Sequence, residues 1–378
     1  MADCAWVRGA RQPTPLTAQR VDHVPPEPRD RPRFRRIAAV AAGATRLRWR
    51  RALPAAVACG LLLSGCGKQS IVAPRSPETH QISVLWWWML GIATVVFLGA
   101  VAMLIMAWFR REVPGLPILG EREDVAEGMV LLFGIGIPIT VLVALFAVAN
   151  VWLIGKTSPP AQASTAMTID VIGHQWWWEV HYPGTSAVTA NEIHVPVNTR
   201  VNVVATTADV IHSFWVPQLA RKIDMIPGRE NRVLLYASRP GTYRGQCAEF
   251  CGFQHANMAL YVVAQPQDAF RAWLASASAP ARAPASPQAQ AGERQFMSDQ
   301  CSSCHTIAGT SAQATVGPDL THLASRSTLA AGTIPNTPAE LAAWIANPQA
   351  IKPGDRMPDL GLTRGQIDQL VAYLETLR

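Results

Sequence analysis

Residues 247–258 read CAEFCGFQHANM and bring together side chains that a soft metal ion prefers. Cys247, Cys251, His255 and Met258 all fall within this short stretch. Thiolate, imidazole and thioether ligands favour copper, and two thiolates can bridge a pair of copper ions. Zinc is a competing interpretation, although zinc sites seldom use a thioether. Two buried free thiols are a third interpretation. The stretch therefore predicts a copper centre whose second imidazole comes from elsewhere in the chain.

The metal loop follows a region of short β-rich runs, which extends from about residue 164 to residue 265. Runs such as EIHVPVNTRVNVVATT and RVLLYAS are separated by Pro, Gly and Asn. Strands at this spacing predict an antiparallel sandwich of about a hundred residues. Spacing alone does not identify the second imidazole among the upstream candidates, which are His174, His181, His194 and His212.

The chain contains four separated strings in the order GHQWWWEV, DVIHSFWVP, KIDMIPGR and CAEFCGFQHANM. Together they resemble the copper domain of cytochrome c oxidase subunit II. The resemblance implies a cupredoxin-like Greek-key sandwich over residues 164–266 and a binuclear copper (CuA) centre. It also implies the copper ligands, which are the thiolates of Cys247 and Cys251, the imidazoles of His212 and His255, the thioether of Met258 and the carbonyl oxygen of Glu249. The side chain of Glu249 would additionally reach a magnesium ion shared with subunit I.

The resemblance also assigns roles around the copper centre. Trp176 would be the residue through which electrons enter, and Asp209 would belong to a donor-docking surface. Trp177 and Trp178 are interpreted as packing residues.

The chain departs from the family at one position of the second membrane helix. Many family members carry an acid about two turns before the proline of this helix, at the mouth of a proton path. Here Leu131 precedes Pro138 at that spacing, and Glu127 lies one turn further out. Glu127 either serves the proton path or stabilises the start of the helix, where an acid is favourable.

Residues 82–109 and 128–154 are apolar stretches without acids or bases. Each exceeds the ~20 residues that span a bilayer. Three tryptophans crowd one end of the first stretch, and Trp108 marks the other. A buried core helix is the alternative, but the two stretches together predict a transmembrane helical hairpin over residues 82–154. Arginines in the connecting loop indicate its cytoplasmic side. Everything after Lys156 would then face outward from a bacterial plasma membrane.

The N-terminal region has the composition of a processed leader. Residues 1–45 are rich in Arg, Pro and Ala and predict disorder, or a mis-assigned translation start. Residues 46–65 have the layout of a signal peptide. The sequence that ends at Cys66 resembles a lipobox, which predicts lipidation of that cysteine. An uncleaved apolar segment is the alternative.

The net charge of +7 comes from the N-terminal end of the chain. Residues 1–51 carry a net charge of +8, so the remaining residues sum to about −1. A basic patch that would bind nucleic acid is therefore not expected.

A second redox motif lies near the C-terminus. Residues 276–290 are rich in Ala, Pro and Ser and predict a semi-extended linker. Beyond it, Cys301, Cys304 and His305 form a C-x-x-C-H string for covalent attachment of a c-type haem. A thioredoxin-like motif or a zinc knuckle is the alternative. The helical flanking patterns make residues 291–378 resemble an all-α class I cytochrome c domain.

The sixth haem ligand follows by elimination. After His305 the domain contains one methionine, Met357, and one further histidine, His322. Paired Met and His ligands raise the haem potential and suit electron transfer. Met357 is therefore predicted as the axial ligand.

The order of these parts resembles subunit II of a caa-type cytochrome c oxidase. The resemblance implies electron transfer from a cytochrome donor through the haem and CuA to subunit I, in a complex that also contains subunit III. There dioxygen would be reduced to water, with proton translocation. A free-standing electron carrier would need at most one membrane anchor. Nitrous oxide reductase shares the copper loop but has propeller repeats that are absent here, and quinol oxidases lack the copper ligands.

Overall fold

The computed structural model describes residues 69–110, 123–157, 165–298 and 300–378. The predicted N-terminal extension, signal peptide and lipobox lie outside these residues. The described residues belong to one unit that extends from Gly67 to Arg378, so contacts between its parts can be read directly.

The first membrane helix, α1, spans Pro77–Arg110. The Ser76 hydroxyl accepts the N–H of Thr79 at 3.1 Å and caps the helix. Pro77 occupies the first turn, where its missing N–H costs nothing. A helix of this length measures about 50 Å at 1.5 Å per residue, which exceeds the ~30 Å hydrocarbon core. The predicted span 82–109 lies within it.

The second membrane helix is continuous but contains two wider turns. Its segments are α2 (Glu123–Leu131), a π-turn (Leu132–Gly136), α3 (Ile137–Val148), a second π-turn (Ala149–Leu153) and α4 (Ile154–Thr157). Pro138 lacks an N–H donor, which accounts for the wider turn before it. In the apolar windows of both membrane helices no residue is buried, so lipid or a partner protein must cover these surfaces.

The segment before α1 attaches the membrane helix to the β domain. The Arg75 N–H donates to the Gln218 carbonyl at 2.8 Å, and the Arg75 carbonyl accepts the N–H of Ser238 at 2.9 Å. The Gln218 amide donates to the Ala73 carbonyl at 3.1 Å. These bonds fix the β domain relative to the start of α1.

Ten strands of the described chain form two five-stranded sheets. The strands are β1 (Met167–His174), β2 (Trp177–His181), β3 (Val188–Ala190), β4 (Glu192–Pro196), β5 (Val201–Thr207), β6 (His212–Trp215), β7 (Ile223–Met225), β8 (Asn231–Leu235), β9 (Gly241–Cys247) and β10 (Ala259–Gln265). One sheet has the order β3-β2-β1-β5-β8 and the other the order β4-β10-β9-β6-β7. This two-sheet arrangement confirms the predicted cupredoxin-like class.

Both sheets are mixed, so the prediction of a purely antiparallel sandwich is wrong. β1 pairs with β2 in antiparallel and with β5 in parallel orientation, and β10 pairs with β4 in parallel orientation. Alternation of apolar residues reports which face of a strand is buried. It carries no information about the direction of the neighbouring strand.

The sandwich core follows from alternation along the strands. In β1, Ile169 and Val171 point inward and are fully buried. Trp178 from β2 packs edge-on against Phe214 from β6, with ring centroids 6.2 Å apart. The core therefore extends directly beneath the strand that begins with His212.

The C-terminal domain is helical and follows α5 (Gln267–Ala277), which packs on the sandwich. Its helices are α6 (Pro287–Ser298), α7 (Pro338–Ala346), α8 (Pro348–Ile351) and α9 (Arg364–Leu374). A Cβ at Gly292 would lie 1.9 Å from the Gln369 carbonyl oxygen, so only glycine permits the close crossing of α6 and α9.

The predicted linker over residues 276–290 is too long at both ends. α5 includes residues up to Ala277, and α6 begins at Pro287. The Ser286 hydroxyl accepts the N–H of Ala289 at 3.2 Å, and proline is favoured in the first turn. The Ser-Pro pair is therefore a helix start inside a stretch whose composition suggested a linker.

Candidate functional site

The predicted metal loop lies between β9 and β10, at one end of the sandwich. β9 ends at Cys247 and β10 begins at Ala259. The Cys247 N–H donates to the Met258 carbonyl at 2.9 Å, which closes the base of the loop. His212 begins β6, in which Phe214 pairs with Cys247. Strand pairing thus brings His212 beside the loop.

Cys247 lies at the centre of a first group of ligand atoms. Its Sγ is 3.8 Å from Nδ1 of His212 and 3.1 Å from the carbonyl oxygen of Glu249. The ligand atoms of His212, Cys247 and Cys251 all lie within 4.8 Å of one another. Ligands bound to one ion at ~2.0–2.3 Å are separated by roughly 3–4 Å, so this group fits one metal ion.

Cys251 belongs to a second group. Its Sγ is 3.6 Å from Nδ1 of His255 and 3.8 Å from Sδ of Met258. The Sγ atoms of Cys247 and Cys251 are 3.8 Å apart, and both thiols are free. The two groups together offer more donors than the four that structural zinc takes, and their sulfur atoms favour copper. The donor set therefore fits two copper ions that share two thiolates.

The two thiols of the pair have pKa shifts in opposite directions. The contact with Cys251 lowers the pKa of Cys247 to about 3, against the effect of burial, and the contact with His212 acts in the same direction. The contact with Cys247 raises the pKa of the Cys251 thiol, as does burial. Metal binding would require both thiols to be deprotonated.

Asp209 fixes the orientation of His212. Nε2 of His212 lies 2.9 Å from Oδ1 of Asp209, which leaves Nδ1 facing the thiols. Burial raises the pKa of Asp209, but the hydrogen bonds from His212 and from two backbone N–H groups outweigh it and lower the pKa to about 2. A Cβ at Gly173 would lie 2.8 Å from Cδ2 of His212, so glycine is required beneath the ring.

Trp176 forms a hydrogen bond with the metal loop. Its indole Nε1 donates to the Cys251 carbonyl at 3.0 Å, and the Gln175 amide donates to the same oxygen at 2.8 Å. Gly252 has a φ of +114°, and a Cβ there would lie 3.0 Å from the Trp176 ring. Glycine thus permits this approach. Trp176 itself is only 6% exposed.

The haem-type motif lines a large cavity in the C-terminal domain. Cys301, Cys304, His305 and Met357 all contribute to its walls. Nδ1 of His305 donates to the Pro318 carbonyl at 2.8 Å, which leaves Nε2 as a possible iron ligand. Burial lowers the pKa of His305 and favours its neutral, ligating form.

The cavity wall also contains a buried guanidinium. Arg326 is 7% exposed, and its Nε has no hydrogen-bond partner among the described residues. Burial lowers the pKa of Arg326, while Asp319 and Glu192 oppose this effect. An enclosed N–H group without an acceptor fits a ligand that carries carboxylates, as haem does. The cavity is otherwise largely apolar, which also suits a porphyrin.

His322, the alternative axial ligand, lies outside this cavity. It lines a separate small cleft, and its Nε2 donates to the Ala279 carbonyl at 3.0 Å. Met357 shares the large cavity with His305. This placement favours Met357 over His322.

The remaining upstream histidines have other partners. Nε2 atoms of His174 and His181 lie 2.8 and 2.7 Å from the two carboxylate oxygens of Glu179. His194 stacks on Trp273 with centroids 4.0 Å apart. Of the candidates that spacing left open, His212 is the one beside the thiols.

The copper domain supplies part of the haem-type cavity. Gln175, Trp176 and Trp177 line it together with Met357. Trp178 is fully buried in the sandwich core, which agrees with a packing role. Trp177 stacks on His174 with ring centroids 4.3 Å apart and also lines the cavity.

Two further residues near the cavity were not identified from the sequence. Lys352 donates to the Trp176 carbonyl at 2.8 Å, and Arg356 donates to the side chain of Gln175. Their basic character before Met357 is visible in the sequence, but their burial and partners are not. The Glu249 side chain is exposed, and its magnesium role stays a prediction.

Comparison with known families gives two matches. Residues 185–265 match the model described as cytochrome C oxidase subunit II, periplasmic domain, and residues 289–378 match the model for cytochrome c.

Two relatives align with most of the chain. Cytochrome c oxidase subunit 2 of Alkalihalophilus pseudofirmus is 31% identical over 328 residues, covering 84% of this chain and 94% of that protein. Cytochrome c oxidase subunit 2 of Bacillus subtilis is 27% identical over 342 residues, covering 84% and 95%. Among solved structures, the periplasmic domain of subunit II of cytochrome oxidase from Bradyrhizobium japonicum is 35% identical. It covers 30% of this chain and 94% of that chain, with a TM-score of 0.30.

Proposed function

We propose that this chain passes electrons from a covalent haem c through a CuA centre to subunit I. The chain belongs to the cytochrome c oxidase subunit II family and carries a C-terminal cytochrome c domain. One observation carries this proposal. Trp176 lines the cavity of the haem motif and also donates to the Cys251 carbonyl at 3.0 Å. A single side chain thus connects the two candidate cofactor sites.

The residues of each site have separate tasks. When bound, the copper pair and the haem each supply reversible one-electron chemistry. Cys301 and Cys304 would hold the haem through thioethers, with His305 and Met357 as iron ligands. Arg326 would donate a hydrogen bond to a haem carboxylate from its Nε, which has no partner among the described residues.

The fold brings the proposed copper ligands together. Cys247, Cys251, His212, His255 and Met258 would be the side-chain ligands, with the Glu249 carbonyl completing the set. Met258 is fully buried, as is His212, so these ligands have little freedom to move. Rigid ligands keep bond lengths constant when the charge changes, which favours rapid electron transfer.

The cytochrome c domain contacts Trp176. Trp176 is 6% exposed, and Lys352 of that domain donates to its carbonyl oxygen. An external cytochrome would therefore deliver electrons to the haem, and Trp176 would receive them from there.

The remaining parts of the proposal concern the complex. Subunits I and III would cover the exposed apolar membrane helices, and subunit I would reduce dioxygen to water with proton translocation. A free-standing carrier would leave both helices without a protein partner. Both redox domains would lie on the outer face of the bacterial plasma membrane, with Cys66 lipidated. Glu249 would share magnesium with subunit I.

The proposal is tested on the full chain in detergent. We expect two copper ions and one haem per chain, with an electron spin resonance spectrum of one electron shared by two copper nuclei. The haem should remain attached after denaturation. Cys251→Ser should abolish the shared-electron spectrum and retain the haem, whereas Cys304→Ser should weaken haem attachment and retain the copper. A wild-type chain that binds one copper, or zinc instead, would overturn the CuA assignment.

A further inference from the structure

A lysine is enclosed where the cytochrome c domain meets the copper domain. The Lys352 side chain is 1% exposed, although lysine is almost never fully buried unless it is paired. Its Nζ donates to the carbonyl oxygens of Trp176 at 2.8 Å and Ala330 at 3.3 Å. It also lies 3.7 Å from Oδ2 of Asp355. The ammonium thus donates two hydrogen bonds to carbonyl oxygens and forms an ion pair with the carboxylate of Asp355.

These acceptors come from both domains. Trp176 belongs to the copper domain, whereas Ala330 and Asp355 belong to the cytochrome c domain. Oδ1 of Asp355 accepts the N–H of Met357 at 3.0 Å. A short chain of polar contacts therefore connects the Trp176 backbone with the backbone of the proposed axial haem ligand.

Residues 352–357, here called the docking loop, make a second contact with the copper domain. The Arg356 guanidinium donates to the Gln175 side chain and lies 3.9 Å from Asp209. The Arg356 side chain is 62% exposed, so water screens its ion pair. Lys352 is the enclosed cation of this loop.

We propose that Lys352 is a positioning residue that holds the docking loop, and with it the haem of the cytochrome c domain, at a fixed distance from Trp176. The proposal rests on the proposed function of the two cofactor sites. It adds a residue that neither domain would need if the two domains worked separately.

The physical reason is the cost of an unsatisfied buried charge. A buried ammonium is tolerated only when hydrogen bonds replace its water. If the docking loop shifts away from Trp176, Lys352 loses one acceptor while it remains enclosed. Burial lowers the pKa of Lys352 to about 8, and Asp355 opposes this effect, so the ammonium persists at neutral pH. Lys352 therefore makes a displacement of the docking loop from Trp176 energetically unfavourable, whereas apolar contacts alone would tolerate it.

Other contacts keep the domains together when Lys352 is replaced. The Glu192 carboxylate accepts the backbone N–H of Ser327 at 2.6 Å, and the Ala259 N–H donates to the Ala331 carbonyl at 2.9 Å. We therefore expect Lys352→Met to fold and to bind both cofactors. We expect this variant to differ from the wild type in the position of the docking loop.

The test compares Lys352→Met with Lys222→Met in the full chain. Lys222 is exposed on the copper domain, so the same chemical change is made away from the contact. Two quantities are measured: hydrogen exchange of the backbone around Trp176 and the docking loop, and the rate of haem-to-copper electron transfer after a light pulse. Copper and haem contents are determined first, and Lys352→Gln tests whether a neutral donor rescues the contact.

Lys352→Met should increase hydrogen exchange at both segments and slow electron transfer ~10-fold, as expected if the docked fraction falls to a tenth. Lys222→Met should change neither, and Lys352→Gln should fall between them. Unchanged exchange and rate in a fully loaded Lys352→Met chain would overturn the positioning role alone. If the Lys352→Met chain does not bind haem, its hydrogen exchange is compared with that of Lys352→Gln. Wild-type hydrogen exchange in both variants would then overturn the positioning role. A wild-type chain without copper or haem would instead overturn the proposed function.

Discussion

The indole N–H of Trp176 donates to the carbonyl oxygen of Cys251 at 3.0 Å. Trp176 lies in the turn after β1, and Cys251 lies in the metal loop between β9 and β10, so the contact joins parts of the chain that are distant in sequence. Trp176 also lines the cavity whose wall includes His305. The contact therefore connects the copper loop with the haem cavity through one aromatic side chain.

Replacing Trp176 by phenylalanine should remove the hydrogen bond to Cys251 while the fold is retained. The ring would still fill most of the space, but the donor to Cys251 would be lost, which costs about 1 kcal/mol for a typical hydrogen bond. We expect normal copper and haem contents, a small fall in thermal stability and slower haem-to-copper transfer after a light pulse. Trp177→Phe is the matched control, because Trp177 lines the cavity without contacting Cys251. Equal rates in both variants would exclude the special role of Trp176.

Met258 should tune the copper centre without being essential for it. Met258→Leu conserves volume and typically costs less than about 1.5 kcal/mol in a core. Its Sδ lies 3.8 Å from Cys251 Sγ, where a weak thioether ligand would act on the metal. We expect two copper ions per chain with a changed absorption spectrum and a changed reduction potential. A variant with wild-type spectrum and potential would remove Met258 from the ligand set.

Met357 and His322 can be distinguished by paired substitutions. Met357→Leu should leave the haem attached through Cys301 and Cys304 but lower its reduction potential, because a thioether ligand raises the potential. His322→Leu should leave the haem spectrum and potential unchanged, since His322 lies in a different cleft. Potentiometric titration of the full chain measures both. The reverse result would reassign the axial ligand.

Glu179 should make the copper domain sensitive to acid. Burial raises its pKa, but the hydrogen bonds from His174 and His181 outweigh burial and lower the pKa to about 2, from an ordinary value of 4.5. The stabilisation is therefore complete above pH 4.5 and is lost as the pH falls through 2, and it amounts to at most about 3 kcal/mol.

Glu179→Gln should accordingly lower the thermal midpoint at pH 7 and flatten its decline below pH 4.5. The check is a series of melting curves on the full chain across this range. Glu230→Gln is the matched control, because the Glu230 side chain is 66% exposed and lies 3.8 Å from Arg232 in a weak ion pair. If both variants show the wild-type decline, the Glu179 cluster does not contribute to acid stability.

Local patterns in the sequence were sufficient to predict the membrane helices and most of the candidate ligands for copper and haem. Apolar length predicted the two membrane helices, and the residue types in 247–258 predicted a copper loop. The C-x-x-C-H string predicted the haem-type motif, which the structure places with Met357 in one cavity. These features depend on residues close together in the chain or on chemistry that few side chains possess. The family resemblance, not spacing, selected His212 among four histidines.

Contacts between distant residues required the tertiary structure. The parallel pairing of β1 with β5 and of β10 with β4 leaves no mark in the alternation of apolar residues. The deciding interactions there are backbone hydrogen bonds between strands, whose partners the alternation does not specify. The helix that begins after Ser286 is a different case, because its capping bond to Ala289 is local and lies within a stretch whose composition alone suggested a linker.

The sequence by itself determined which residues could bind copper and haem, because ligand chemistry belongs to the side chains. Only the tertiary structure decided how the two sites meet. Lys352 appears in the sequence as an ordinary basic residue, yet it is enclosed and bonded to the Trp176 carbonyl at 2.8 Å. The burial of a charge depends on the acceptors that the rest of the fold brings to it, and those acceptors come from two domains.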